Sequence, residues 1–187
     1  MGNITLKPKN EDGLTLIEVM ISAFIVTVAL LAIAMTMVQG VSAVFFTQEQ
    51  LIAKQKAREA LESVFTARST QNITFAQIQN DSVTGGMFLS GYQSIRGMGT
   101  DGIANTADDS TTPIETLNFP GPDGLLGTAD DEIWTLTNFQ RQITISSVYD
   151  ADGSLDPDIR KITVDVRFKT NNVWRTVTVS SFVSRFA

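Results

Sequence analysis

From Leu14 to Val38 the chain runs without a glycine or proline, and its only charged residue in that stretch is Glu18. No other feature constrains the fold as tightly. A hydrocarbon core about 30 Å thick is crossed by about 20 apolar residues of helix, so this run is long enough to span a bilayer. A carboxylate within such a helix costs ~2.5–3.5 kcal/mol at the bilayer centre and calls for a cationic partner. Glu18 is therefore the residue from which function is best argued.

The order of segments around the run identifies its type. A secretory signal places its processing site after the apolar core. Here a polar leader, Met1 to Gly13 with Lys7, Lys9, Glu11 and Asp12, comes first, and the apolar run follows the glycine. Cutting after Gly13 removes the leader and keeps the anchor. The residues Gly13-Leu14-Thr15-Leu16-Ile17-Glu18 closely resemble the cleavage and N-methylation motif of type IV prepilins and type II secretion pseudopilins. That resemblance implies cleavage after Gly13 by prepilin peptidase, N-methylation of Leu14 as the new N-terminus, and an assembly role for Glu18. In this reading the Glu18 carboxylate pairs with the α-amine of a neighbouring subunit, each neutralising the other in an apolar setting. The chain departs from the family in having Leu14 where Phe is usual, and acidic Glu11 and Asp12 where a basic residue is more usual. Lys7 and Lys9 still favour a cytoplasmic leader. The implied location is the inner membrane, single-pass and in contact with its lipid, then the periplasm or a cell-surface pilus. The implied partners are other pilins or pseudopilins, met through the N-terminal helix.

Beyond the apolar run the helical pattern continues and becomes amphipathic. Leu51, Ala53, Ala57, Ala60, Leu61, Val64 and Phe65 recur at three- and four-residue steps. A helix from Leu14 to about Arg68 would be on the order of 80 Å long. The expected organisation is a leader over 1–13, a membrane or filament-core helix over 14–39, its amphipathic continuation over 40–68, and a β-rich head over 69–187. Gly40 and the stretch Val41 to Phe46 offer a place for a bend. Many major pilins carry Gly and Pro in the apolar half, and their absence between Leu14 and Gln39 leans towards a minor pilin or a pseudopilin.

The head reads as β. Ile133–Leu136, Arg141–Ser146, Lys161–Phe168 and Trp174–Ser180 alternate apolar and polar residues. Asn171-Asn172 is a plausible hairpin turn between the last two. About four antiparallel strands packed on the helix give an α+β, pilin-like fold. The closing strand pair is similar to the C-terminal sheet of PilV-type minor pilins. Trp134 and Trp174 lie on strand patterns and are expected in the core.

The middle of the chain holds a repeat. Gly99-Thr100-Asp101-Gly102-Ile103-Ala104-Asn105-Thr106-Ala107-Asp108-Asp109 recurs as Gly121-Pro122-Asp123-Gly124-Leu125-Leu126-Gly127-Thr128-Ala129-Asp130-Asp131. A hard cation such as Ca²⁺ takes roughly six to eight oxygens, and closely spaced Asp with turn-forming Gly can supply them. The candidate ligands are Asp101, Asn105, Asp108, Asp109, Asp123, Asp130 and Asp131. A weaker candidate set lies in a third acidic loop, at Asp150, Asp152, Asp156 and Asp158. The alternative is that Asp-Gly simply makes turns and the loops are solvated. Calcium, if bound, would rigidify a domain that has no cysteine to staple it.

Composition excludes several classes. With 14 Lys+Arg against 20 Asp+Glu, the chain is acidic, which argues against nucleic-acid binding. Histidine is absent, removing histidine-based catalysis and the usual zinc and copper sites. No nucleophile stands beside a base in sequence, so no enzyme is expected. The readings that remain are a minor pilin acting in filament initiation, assembly or adhesion, a type II secretion pseudopilin, and a pilin-anchored, calcium-dependent surface binding module.

Overall fold

The computed structural model describes residues 15–170 and 172–186. The leader, Gly13, Leu14 and Asn171 lie outside the described residues. The chain divides into two compact units, Met1–Phe45 and Phe46–Ala187. One helix, α1 (Leu16–Ser69), makes up the described part of the first and enters the second. The helix continues through Gly40. Within the first unit its apolar side chains are exposed from Leu16 to Phe45, as a helix meant for lipid or for other helices requires.

In the second unit α1 buries Ile52, Ala53, Ala57, Ala60, Ser63, Val64 and Ala67. Mostly small residues at these steps form the face of α1 that joins the core. Leu51, expected on this stripe, is exposed, and its neighbour Ile52 takes the inward position. The helix stops in a Schellman arrangement: Asn72 N–H donates to Ala67 O at 2.9 Å and Gln71 N–H to Arg68 O at 3.2 Å. Gln71 is left-handed there, with φ 61°, a conformation usually given to glycine.

The main sheet is antiparallel, in the order β1 (Gln93–Ser94), β4 (Phe139–Tyr149), β5 (Leu155–Thr170), β6 (Val173–Ser184). Its inward side chains, Phe139, Ile143, Ile162, Val164, Val166, Phe168 and Val183, form one core with α1, Ile73, Phe75, Ile78, Phe88 and Ile95. Strict alternation along β5 places every second residue inward, and this is the pattern the sequence shows. Asn172, with φ 65°, follows the β5–β6 turn position that falls outside the described residues.

Two expectations need correction. The strand around Ile133 does not join the main sheet. Instead β3 (Glu132–Thr135) pairs only with β2 (Thr116–Phe119), forming a separate two-stranded ribbon. The first strand of the main sheet is the short β1, whose two residues carry no readable periodicity. The tryptophans are not core residues either. Trp134 is half-buried against Phe119, with ring centroids 4.8 Å apart. Trp174 is exposed on the outer face, where the Arg167 guanidinium sits 4.6 Å from its ring and 3.8 Å from Tyr92.

Candidate functional site

The first turn of α1 is organised by a threonine. Glu18 N–H donates to Thr15 O at 3.0 Å, Val19 N–H donates to the same oxygen at 3.2 Å, and Thr15 Oγ1 lies 3.4 Å from Glu18 N. Thr15 therefore caps the helix and Glu18 is its third residue, the spacing of a Thr-x-x-Glu cap. Glu18 thus lies in the first turn, where the backbone amides have no intrahelical acceptor. This cap was readable from the Thr15-to-Glu18 spacing. Farther along, the hydroxyls of Ser22, Thr27, Thr36 and Ser42 donate to carbonyls one turn back at 2.7–3.0 Å. Polar groups satisfied within the helix cost little in an apolar environment, so Glu18 is the single charge left to be matched from outside.

The duplicated segments fold into the same loop twice. In the first, Gly102 N–H donates to Gly99 O, Ile103 N–H to Asp101 Oδ1 at 2.8 Å, Asp101 N–H to Asp108 Oδ2 at 3.1 Å and Asn105 N–H to Asp109 Oδ2 at 2.7 Å. In the second, Gly124 N–H donates to Gly121 O, Leu125 N–H to Asp123 Oδ1 at 2.8 Å, Asp123 N–H to Asp130 Oδ2 at 3.3 Å and Gly127 N–H to Asp131 Oδ2 at 2.6 Å. The threonines match as well: Thr106 donates to Asp108 Oδ1 and Thr128 to Asp130 Oδ1, each at 2.7 Å. A Cβ on Gly99 would meet the Asp108 carboxyl at 2.2 Å, and one on Gly121 would meet Asp130 O at 2.2 Å. Those two glycines are fixed by this close approach.

The loop carboxylates are thus used to close their own turns. The Thr106 hydroxyl, helped by the Asp101 amide and Thr100, holds Asp108 below the ordinary carboxyl value against the opposing effect of burial. Asp130 is lowered in the same way, first by Thr128 and then by the Asp123 amide. Asp109 is raised, because burial outweighs the amides of Gly99 and Asn105 and the charge of Arg141. Asn105 donates through its side chain to Leu89 O. In the third loop, Asp152 accepts from both the amide and the hydroxyl of Ser154, while Asp150 contributes backbone groups to the turn. Asp156 and Asp158 fall on β5 rather than in the loop, and Asp158 pairs with Arg185 at 3.2 Å. Among the described residues no group of three acidic side chains converges as a metal site requires.

A model of the prokaryotic N-terminal methylation motif matches residues 8–38. The chain carries this prepilin motif. The match takes in the end of the leader, the Gly13–Leu14 junction and the apolar run, and the capped first turn with Glu18 lies inside it. The motif implies processing by prepilin peptidase and assembly with other pilins, and it points to a structural subunit. Helix α1 is long and apolar enough to cross a membrane, which is consistent with anchoring in the inner membrane before assembly. No curated protein and no solved structure matches the chain.

A residue that sequence reasoning missed links the head together. Arg141 occupies an inward position of β4 between Phe139 and Ile143 and is fully buried. Burial pushes its pKa down, and the charges of Asp109, Glu115 and Glu59 pull it back up. Lys56 completes the group, 2.8 Å from Glu59 and 2.5 Å from Glu115. These charges tie α1, the first loop and β4 to one another. Removing one member of a buried charge group strands the others, at a cost of about 3–5 kcal/mol.

Proposed function

We propose that the protein is a minor pilin of a type IV pilus, processed after Gly13 and built into the fibre through α1. The observation that carries this reading is the single carboxylate of Glu18, in the capped first turn of a helix whose apolar run through Val38 holds no other charge, inside the methylation motif. A freed and methylated Leu14 amine supplies the matching cation. Within one chain, pairing only neutralises charge. Between chains, it sets the axial stagger at which one subunit follows another. The absence of Gly and Pro from Leu14 to Gln39 supports a minor subunit, whose helix keeps its hydrogen bonds where many major pilins loosen.

A type II secretion pseudopilin uses the same N-terminal chemistry and is the second reading. Filaments sheared from the cell surface separate the two. A minor pilin is recovered in the sheared fraction, and its deletion reduces filament number. A pseudopilin stays in the envelope fraction, and its deletion stops export of secreted proteins while leaving surface filaments intact.

A further inference from the structure

The duplicated loop is one structure in two environments. In the first copy the tip is seated. Ile103 is 1% exposed, Ala104 N–H donates to Ser63 Oγ at 3.2 Å, and Leu89 N–H donates to Asn105 O at 2.9 Å. The seat is the small-residue face of α1 around Ala60, Ser63, Val64 and Ala67, and the buried Arg141 lends its charge to Asp109. In the second copy the equivalent tip is bare: Leu125 is 62% exposed and Leu126 is 65% exposed.

The second tip is also the more apolar of the two, Leu-Leu in place of Ile-Ala. Its shape does not depend on a seat, because most of the first loop's internal hydrogen bonds recur in it. A rigid, solvent-facing apolar knob loses little conformational entropy when it docks.

We infer that the loop Gly121–Asp131 is a docking knob for the head-side helix of a neighbouring filament subunit, seated there as Gly99–Asp109 is seated on α1 of its own chain. The internal copy defines the occupant. It is a helix face with small residues at i, i+3, i+4 and i+7, one of them bearing a hydroxyl, near a guanidinium whose charge acts on the last Asp of the loop. The equivalent face of another copy of this chain is already filled by its own first loop, so the partner is a different subunit. The choice of a filament subunit rests on the function proposed above.

A photo-crosslinking residue, p-benzoylphenylalanine, in place of Leu126 tests this in cells that assemble the filament. The expected adduct joins residue 126 to the helix of another subunit that carries the N-terminal methylation motif, as read by mass spectrometry of the linked peptides. The double variant L125S/L126S should keep the melting temperature of the protein and lower its incorporation into filaments by about tenfold. The inference is overturned by an absent adduct, by an adduct to the same chain, to a non-helical surface or to a protein without the motif, or by normal incorporation of L125S/L126S. The mature N-terminus measured in the same sample keeps the two readings apart. N-methyl-Leu14 without the adduct removes the knob alone, whereas a missing N-methyl group removes the filament reading and the knob with it.

Discussion

Glu18 and Gln71 show what single residues decide in this chain. Glu18 was legible from sequence as the only charge in an apolar run, and the Thr15-to-Glu18 spacing also marks it as the third residue behind a threonine cap. Under the pairing proposed above, Glu18→Ala removes one partner of an ion pair in an apolar setting, a loss of ~3–5 kcal/mol, or more than about a hundredfold in an equilibrium. Membrane insertion of the variant should be normal, and its recovery in sheared filaments should fall by that order; recovery equal to the native protein would contradict pairing. Gln71 could not be singled out from sequence, because a left-handed residue at a helix end is normally announced by Gly or Asn. Gln71→Gly relieves that conformation and loses some unfolded-state advantage, for a net gain of about 0.5–1 kcal/mol. Thermal unfolding should therefore move up by a few degrees. A lower melting temperature would show that the Gln71 side chain contributes more than its backbone costs.

At the scale of elements, β4 to β6 and α1 were readable because burial imposes a period, two along a strand and three to four along a helix. The strand at Ile133 was readable too, but its pairing with β2 in a separate ribbon and the two-residue β1 were not, since pairing partners set by the tertiary fold leave no local trace. The repeated loop makes the limit plain. Its two copies announce the same turn in sequence and share the hydrogen bonds that close it, yet Ile103 is buried and Leu125 is exposed. What seats one and not the other is Ser63 and its neighbours on α1, which no reading of the loop alone contains. The acidic spacing also invites a cation. A site occupied at a hundred times its Kd would add about 2.7 kcal/mol to stability and raise the melting temperature in calcium over EDTA. Carboxylates already bonded to their own amides and hydroxyls predict equal melting temperatures in the two conditions, and a clear rise in calcium would show that the loops recruit the ion.

For the whole molecule, the head is held by one apolar core with a small charged centre rather than by disulfides. Arg141 lies in that centre, and its inward position runs against the ordinary expectation for a strand arginine. Long-range partners, Asp109 from the first loop, Glu115 before β2 and Glu59 from α1, make the burial tolerable. Lys56 reports on the same centre. Burial pulls its pKa down, but hydrogen bonds and charges from Glu115 and Glu59 raise it above the ordinary lysine value of 10.5. A raised pKa in the folded state means stability that is present below 10.5 and is lost as pH rises through the folded value. The melting temperature should thus fall at strongly alkaline pH, and Lys56→Met should flatten that part of the profile. An unchanged alkaline slope in Lys56→Met would place the loss elsewhere.

Anchor, head and exposed loop acquire a common purpose only if the chain is processed as its N-terminus implies. Mass spectrometry of the mature protein from the native cell tests this most directly. The account predicts a chain that begins at N-methyl-Leu14, with the leader through Gly13 removed. A mature protein that still begins at Met1, or that has been cut beyond Val38, would contradict it.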